Sequence, residues 1–297
     1  MSVLKDNINS GASALARLVK RSCITAPGVY NGISSILAEK AGFKALYLSG
    51  AGVAANAGLP DLSVTTLSEV AEEARRIVAV TTLPLIVDVD TGFGETLNVI
   101  RTVRVMETVG AAAIHIEDQQ LPKKCGQLSG KRLVKEEDMT RKIRAAVASK
   151  KDDDFMIIAR TDARGVEGFE GAVRRSKLYL EAGADAIFPE ALATKEEFSK
   201  FAKLVKAPLL ANMTEFGVSP LLTAGELGRM GYRITIFPLT AFRASIHASE
   251  KAYANLARAG TQKGFVGKLM TRKRFYDIIG YDEYEQEDRA IYNQRIW

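Results

Sequence analysis

Short apolar runs rich in strand-forming residues alternate along this chain with longer segments whose apolar positions recur at helical spacing. The short runs are Ser22–Ala26, Ala45–Ser49, Leu83–Val89, Ala112–Glu117, Phe155–Arg160, Ala186–Pro189, Pro208–Asn212 and Arg233–Phe237. Several are apolar throughout rather than alternating, as befits strands covered on their outer side by helices. Between them Gly32–Ala41, Thr66–Val80, the later part of Thr91–Gly110, Lys135–Ser149 and Gly168–Ala182 read as helices. Strand-then-helix alternation implies a parallel sheet. The segments EKAGFKALYL, ETVGAAAIHI, LEAGADAIF and RMGYRITIF repeat one theme, a helix stopped by glycine and followed by a strand. Glycine supplies the left-handed cap that such a stop requires.

Eight strand–helix units predict a closed (β/α)₈ barrel of the TIM type, one domain over residues 1–297. Three later segments, Ala241–Ala259, Met270–Ile279 and Asp282–Tyr292, read as helices that eight units do not need. Residues from about 260 to 297 are therefore expected to form a C-terminal helical extension over the barrel or a neighbouring subunit.

Composition narrows the function classes. With 47% hydrophobic and 26% charged residues the chain is an ordinary globular protein. No apolar run approaches the ~20 residues that span a bilayer, and the mixed, charged N-terminal segment lacks the apolar core of a secretory signal. Cys23 and Cys125 do not suggest a disulfide framework, so a cytoplasmic protein is expected. The net charge of +6 could serve nucleic acid, an acidic membrane or a small polyanion. Its basic residues are dispersed and often paired with acids, without interleaved aromatics, which argues against nucleic acid and leaves small anionic ligands.

In a (β/α)₈ barrel the active site lies at the C-terminal strand ends. Those ends carry Tyr47, Ser49 and Gly50; Asp88 and Asp90; His115, Glu117 and Asp118; Arg160, Asp162 and Arg164; Glu190; and Asn212 with Thr214. Folding alone does not require this concentration of polar groups, because buried charge is costly unless paired or metal-bound. Asp88 and Asp90, two apart, share one face of a regular strand. Facing carboxylates repel unless a cation or proton intervenes, and Mg²⁺ suits an oxygen donor set; a capping aspartate plus a core ion pair is the plainer alternative. Only two histidines are present, which disfavours a zinc site; His115 reads as a hydrogen-bonded core residue, and His247 receives no role.

A long polar loop, DQQLPKKCGQLSGKRLV, follows the fourth strand. Its Cys125 is flanked by Lys123 and Lys124, whose charge is expected to lower the thiol pKa. Gly126 and Gly130 would let the loop close over a ligand. Arg160, Arg243 and Arg272 are candidate carboxylate clamps, though only Arg160 is placed at the rim by its strand. Gly50, Gly52 and Ala55 read G-x-G-x-x-A after a strand, but the following NAGLPDLSV shows no clear helix, which counts against a dinucleotide fingerprint.

The segments YLSGAG, GLPD, DVDTGFG, IEDQQLPKKCG, ARTDA, FPEA and NMTEFG together resemble the isocitrate lyase and phosphoenolpyruvate mutase superfamily over nearly the whole chain. KKCG is similar to the lyases rather than the mutases, and NMTEFG to the branch that cleaves methylisocitrate. The resemblance implies a Mg²⁺-dependent carbon–carbon lyase acting on a small di- or tricarboxylate. It implies Mg²⁺ near Asp88 and Asp90 with Glu117 nearby, supported by Asp61 and Lys123, and substrate contacts from Ser49, Gly50, Ala51, Gly126, Arg160, Glu190, Asn212, Thr214, Arg243 and Arg272. It further implies Tyr47 as base, Cys125 as acid, and a homotetramer in which a C-terminal helix swaps between barrels. One departure stands out: the family usually reads KKCGH, and Gln127 occupies the histidine place. Glutamine hydrogen-bonds but carries no proton at neutral pH. The substrate could thus be dimethylmalate, oxaloacetate or isocitrate; a phosphonomutase or a non-catalytic binding barrel are the readings from other classes.

Overall fold

The computed structural model describes residues 11–292, so the outermost positions of the predicted 1–297 domain and 260–297 extension lie outside the described residues. Eight parallel strands form the barrel: β1 Ile24–Val29, β2 Leu46–Leu48, β3 Leu85–Asp88, β4 Ala113–Glu117, β5 Met156–Thr161, β6 Ala186–Pro189, β7 Leu210–Asn212 and β8 Ile234–Phe237. Their order is β6-β5-β4-β3-β2-β1-β8-β7, and a parallel bridge between Ile187 and Leu209 brings β6 to β7. Each predicted strand is present. The first runs through Pro27 and Gly28 beyond its expected end at Ala26, because Gly28 permits an unusually close backbone approach: a Cβ there would lie 1.9 Å from the Pro238 carbonyl oxygen.

The helices are α1 Gly11–Arg21, α2 Gly32–Lys40, α3 Gly50–Asn56, α4 Leu67–Val78, α5 Thr96–Thr108, α6 Glu136–Ser149, α7 Gly168–Glu181, α8 Lys195–Leu204, α9 Ala224–Met230, α10 Thr240–Ala259, α11 Arg272–Ile279 and α12 Tyr281–Tyr292. Side-chain caps set several starts; Thr66 accepts from the Glu69 N–H while the Glu69 carboxylate accepts from Thr66, closing a capping box. The four helix-stopping glycines, Gly42, Gly110, Gly183 and Gly231, all have positive φ, as their sequence theme requires. Helix α3, directly after β2, is not anticipated by the sequence, while the stretch NAGLPDLSV beyond its last residue Asn56 is without helix, as expected.

Strand periodicity divides the core in two. Leu46, Leu48, Leu85, Val87, Ile114, Ile116, Ile157 and Ile187 face outward and pack with Val70, Ile77, Val103, Ile143 and Phe201 of the surrounding helices. The alternate residues, among them Tyr47, Ile86, Ala113, Ile158, Phe188, Leu210 and Ile236, fill the barrel interior. Leu15 and Val19 of α1 belong to this inner cluster, so α1 seals it from the N-terminal side of the strands. Each fully buried Leu or Ile contributes roughly 1.5–3 kcal/mol of burial free energy.

Backbone contacts divide the described chain into this unit, which runs to Phe242, and a C-terminal unit from Arg243. In the latter, Thr271 caps α11 and Gly280, at φ +72°, turns the chain into α12. The Tyr276 and Tyr281 rings stack across that turn at 4.5 Å.

Candidate active site

The alternation that points Ile86 and Ile158 into the barrel points Asp88 and Arg160, two residues further along, into the same lumen at its C-terminal mouth. Register then fixes neighbours: Asp88 lies opposite His115 across β3 and β4, Glu117 opposite Arg160 across β4 and β5, and Arg160 opposite Phe188 across β5 and β6.

Asp88 is buried and richly partnered. Its Oδ2 accepts from the Gly50 N–H at 3.1 Å and from the Tyr47 hydroxyl at 3.4 Å, while Oδ1 accepts from the Asp90 N–H at 3.1 Å. Burial pushes this carboxyl up, but His115, Lys123, Arg160 and the Asp90 N–H outweigh it and hold Asp88 at about 2. The first N–H of α3 thus serves the Asp88 carboxylate. A Cβ at Gly50 would meet carboxylate oxygens of Asp90 and Asp88 at 3.1 and 3.2 Å. That arrangement leaves no room for a pyrophosphate at the start of α3, and this excludes the dinucleotide fingerprint although a helix is present.

Asp90 sits just past the strand at φ +48°, a conformation that costs a non-glycine residue energy. Ser63 donates to its Oδ2 at 3.0 Å, and the Lys123 ammonium lies 3.0 Å from Oδ1. Lys123 is buried and also pairs with Asp61. Burial raises the Asp90 carboxyl, with the Lys123 charge opposing and Asp88 reinforcing the rise.

Arg160 is the hub of the other half of the site. It pairs with Glu117 at 3.0 Å, makes a two-pronged contact to Asp162 at 3.0 and 3.2 Å, and approaches Glu190 at 3.8 Å. Its guanidinium also lies over the Phe188 ring, 5.2 Å from the centroid. Burial pushes Glu117 well above the usual carboxylate range against the pull of Arg160 and Lys123. His115 is buried with Nε2 2.8 Å from the Tyr47 hydroxyl and 3.6 Å from Asp88. Burial holds its imidazole neutral, down to about 4, against the opposing charge of Asp88. Burial and then Asp88 push the Tyr47 phenol far up, so it is protonated.

The loop after β4 lies over this mouth. Cys125, Gly126 and Gln127 line a cavity of about 50 Å³ together with Tyr47, Ser49, Ala51, Asp61, Asp88, Lys123, Phe188, Arg160, Glu190, Asn212, Thr214, Pro238 and Leu239. Gly126 is pressed so close to Arg160 and Glu190 that a Cβ would meet each at 2.4 Å. The expected lowering of the Cys125 thiol by its lysine neighbours is not found. Lys123 turns away into Asp61 and Asp90, and burial pushes the thiol up, with the Gln127 N–H opposing and Asp61 and Glu190 adding to the rise. Cys125 is therefore a neutral thiol that can donate a proton.

Most of the site residues singled out by sequence meet here. Arg243 and Arg272 are exposed and belong to the C-terminal unit. Asp118 and Arg164 stand at strand ends without entering the cavity. Asp118 accepts from Thr161, Tyr179 and the Asp162 N–H at 2.7, 2.7 and 2.9 Å, tying β4 and β5 to α7. Arg164 pairs with Glu197 at 2.9 Å. His247 is exposed on α10, 3.5 Å from Glu250. Lys131 and Ser63 carry no motif in the sequence, yet Lys131 is buried against Asp162 at 3.0 Å and donates to the Gly126 carbonyl. Only the fold, which brings Ser63 to Asp90 and Lys131 to Asp162, reveals them.

Among the described residues no three His, Cys, Asp or Glu side chains form a ready-made metal cage. The donors nonetheless fit a hard cation held by one or two carboxylates and water. Glu117 Oε1 is buried without a hydrogen-bond donor, while Glu117 Oε2 and Asp90 Oδ1 face the Arg160 guanidinium and the Lys123 ammonium, each at 3.0 Å, beside the ordered Asp88 carboxylate.

The phosphoenolpyruvate phosphomutase family matches residues 15–257. A 2-methylisocitrate lyase from Aeropyrum pernix is 57% identical over 272 residues, covering 92% of this chain and 88% of that protein. The structure of a 2,3-dimethylmalate lyase, a member of the PEP mutase/isocitrate lyase superfamily, superposes with a TM-score of 0.90 at 38% identity, covering 96% of each chain. That of a phosphonopyruvate hydrolase in complex with oxalate and Mg²⁺ superposes at 0.87 and 33% identity, over 96% of this chain and all of that one. With its strand-tip carboxylates, its arginine hub and its cysteine loop set on this barrel, the chain belongs to the phosphoenolpyruvate phosphomutase family, within the PEP mutase/isocitrate lyase superfamily.

Proposed function

We propose that this chain is a Mg²⁺-dependent carbon–carbon lyase that cleaves 2-methylisocitrate to pyruvate and succinate. The observation that carries the reading is a single cavity lined at once by Asp88, Arg160 and Cys125: a carboxylate, a cationic clamp and a proton donor. The identity to 2-methylisocitrate lyases, 57% in the relative above, supports the choice of substrate.

Asp88, Asp90 and Glu117 would hold Mg²⁺, which when bound supplies a Lewis acid for the oxygens of the pyruvate half. Arg160, with Asn212 and Thr214 on the far wall, binds the carboxylates of the succinate half. Tyr47 takes the proton of the substrate hydroxyl as its own passes to the neutral His115, 2.8 Å away. The carbon–carbon bond then breaks, its electron pair moving into an enediolate of the succinate half while the oxygen left on the other half becomes the pyruvate carbonyl. Arg160 stabilises the growing charge, and the Cys125 thiol protonates the carbanion carbon under a closed loop that excludes water. The active assembly is a homotetramer in the cytoplasm, which light scattering of the full chain tests for size.

Purified protein with Mg²⁺ and 2-methylisocitrate is expected to release pyruvate and succinate in equal amounts, and chelation is expected to abolish turnover until Mg²⁺ is restored. Faster turnover of 2,3-dimethylmalate, oxaloacetate or isocitrate would replace the substrate assignment. The Cys125→Ser variant should lose about 10²–10⁴-fold in kcat, and full activity there removes the proton-donor role.

A further inference from the structure

We propose that Gln127 is a positioning residue that latches the Cys125 loop shut, through a neutral two-ended bridge from Glu190 at the β6 tip to the backbone after β7. The proposal rests on the lyase reading only for its consequence on turnover.

Three ties hold the loop between β4 and α6 over the cavity. Two are ionic: Lys123 with Asp61 and Asp90, and Lys131 with Asp162 and the Gly126 carbonyl. The third is Gln127. Its Nε2 donates to Glu190 Oε1, and its Oε1 accepts from the Val218 N–H at 2.7 Å and, more weakly, the Ser219 N–H at 3.4 Å. This is the tie that crosses the mouth, joining the β4 loop to the segment after β7. An amide suits the place because one end must donate to a carboxylate while the other accepts from peptide N–H groups. A carboxylate would repel Glu190, and an ammonium or guanidinium would leave both N–H groups without an acceptor.

The receiving surface is shaped for that side chain. A Cβ at Gly217 would lie 2.6 Å from Gln127 Oε1, so a larger residue there would displace the amide. Neighbouring Phe216 turns at φ +61° and leaves its ring exposed, while Val218 and Ser219 present their N–H groups to Gln127.

The latch must also release. The space beneath the loop, about 50 Å³, is far below the roughly 300 Å³ or more of a typical ligand pocket. A multi-carboxylate substrate therefore reaches Arg160 only when the loop lifts. A bridge of uncharged donors costs less to break and re-form than a buried ion pair, and it bears directly on the residue two places from Cys125.

The test reads loop closure without substrate. Full-length wild-type protein, Gln127→Ala and Gly217→Ala are treated with iodoacetamide, and alkylation of Cys125 is followed by peptide mass spectrometry, with melting temperature as a control of folding. Both variants are expected to alkylate Cys125 about 10- to 100-fold faster than wild type, the effect of losing two to three hydrogen bonds, with melting temperatures close to the parent. In the lyase assay kcat/KM is expected to fall by a comparable factor. Wild-type alkylation rates in both folded variants would overturn the latch. A protein that fails to turn over 2-methylisocitrate yet shows the alkylation change would overturn the substrate reading and leave the latch standing.

Discussion

The two ends of the barrel lumen are built on the same strands, two residues apart, and obey opposite rules. At the N-terminal end Ile86, Ile158, Leu210 and Ile234 pack with Leu15 and Val19 into an apolar plug. At the C-terminal end Asp88, Arg160 and Asn212 occupy the next inward positions of β3, β5 and β7 and are buried or nearly so. The lower end is stable because it removes hydrocarbon from water. The upper end is stable only because its charges have partners, so it tolerates substitution far less, and it leaves Glu117 Oε1 without a donor, an oxygen that a cation would satisfy. One periodicity thus delivers both a foundation and a reactive surface.

Substitution at neighbouring inward positions of β5 probes this contrast most strongly. Arg160→Ala removes the counter-charge of Glu117, Asp162 and Glu190, and should destabilise the fold by about 3–5 kcal/mol, the usual consequence of breaking a buried pair. It should also lower kcat/KM on the order of 10²–10³-fold; near-normal denaturation and activity would show that the rim is solvated rather than buried. Ile158→Ala, one inward step below, should cost about 2–5 kcal/mol in a denaturation titration while leaving the KM of the folded enzyme close to wild type. A collapse of activity with stability intact would mean that the plug shapes the site directly.

The gentlest probe concerns Cys125 alone. Because burial pushes its thiol above the ordinary value of 9.0, thiolate should be scarce at pH 8 and the alkylation rate should still be climbing beyond pH 9. The same thiol in the denatured chain should titrate at its ordinary value. A folded-state midpoint well below 8 would return Lys124 to the role of activator that sequence assigned to it.

Much of this site is legible in the sequence. Asp88 and Asp90, Glu117, Arg160, Glu190 and Asn212 could be placed at one rim because strand ends are local events: an apolar run stops, a polar cluster begins, and barrel topology turns eight such ends into one surface. The Cys125 loop was legible as a long, polar, glycine-bearing segment. Its electrostatics were not, because sequence adjacency placed Lys123 beside the thiol while folding sends the lysine across to Asp61 and Asp90. The α3 helix escaped notice since Gly50 and Gly52 are poor helix formers; Asp88 at its first N–H marks the place where tertiary contact overrides propensity.

By itself, then, the sequence determined the alternation of strands and helices, the stops set by Gly42, Gly110, Gly183 and Gly231, and the identity of the groups at the barrel mouth, because each depends on residues near one another in the chain. The tertiary structure alone decided who partners whom. The neutral His115 beside Tyr47, the raised Cys125 thiol, Lys131 under Gly126, and the reach of Gln127 to Val218, 91 residues away, follow from burial and from long-range approach. A charge or a hydrogen bond acts through space and takes no account of the distance along the backbone.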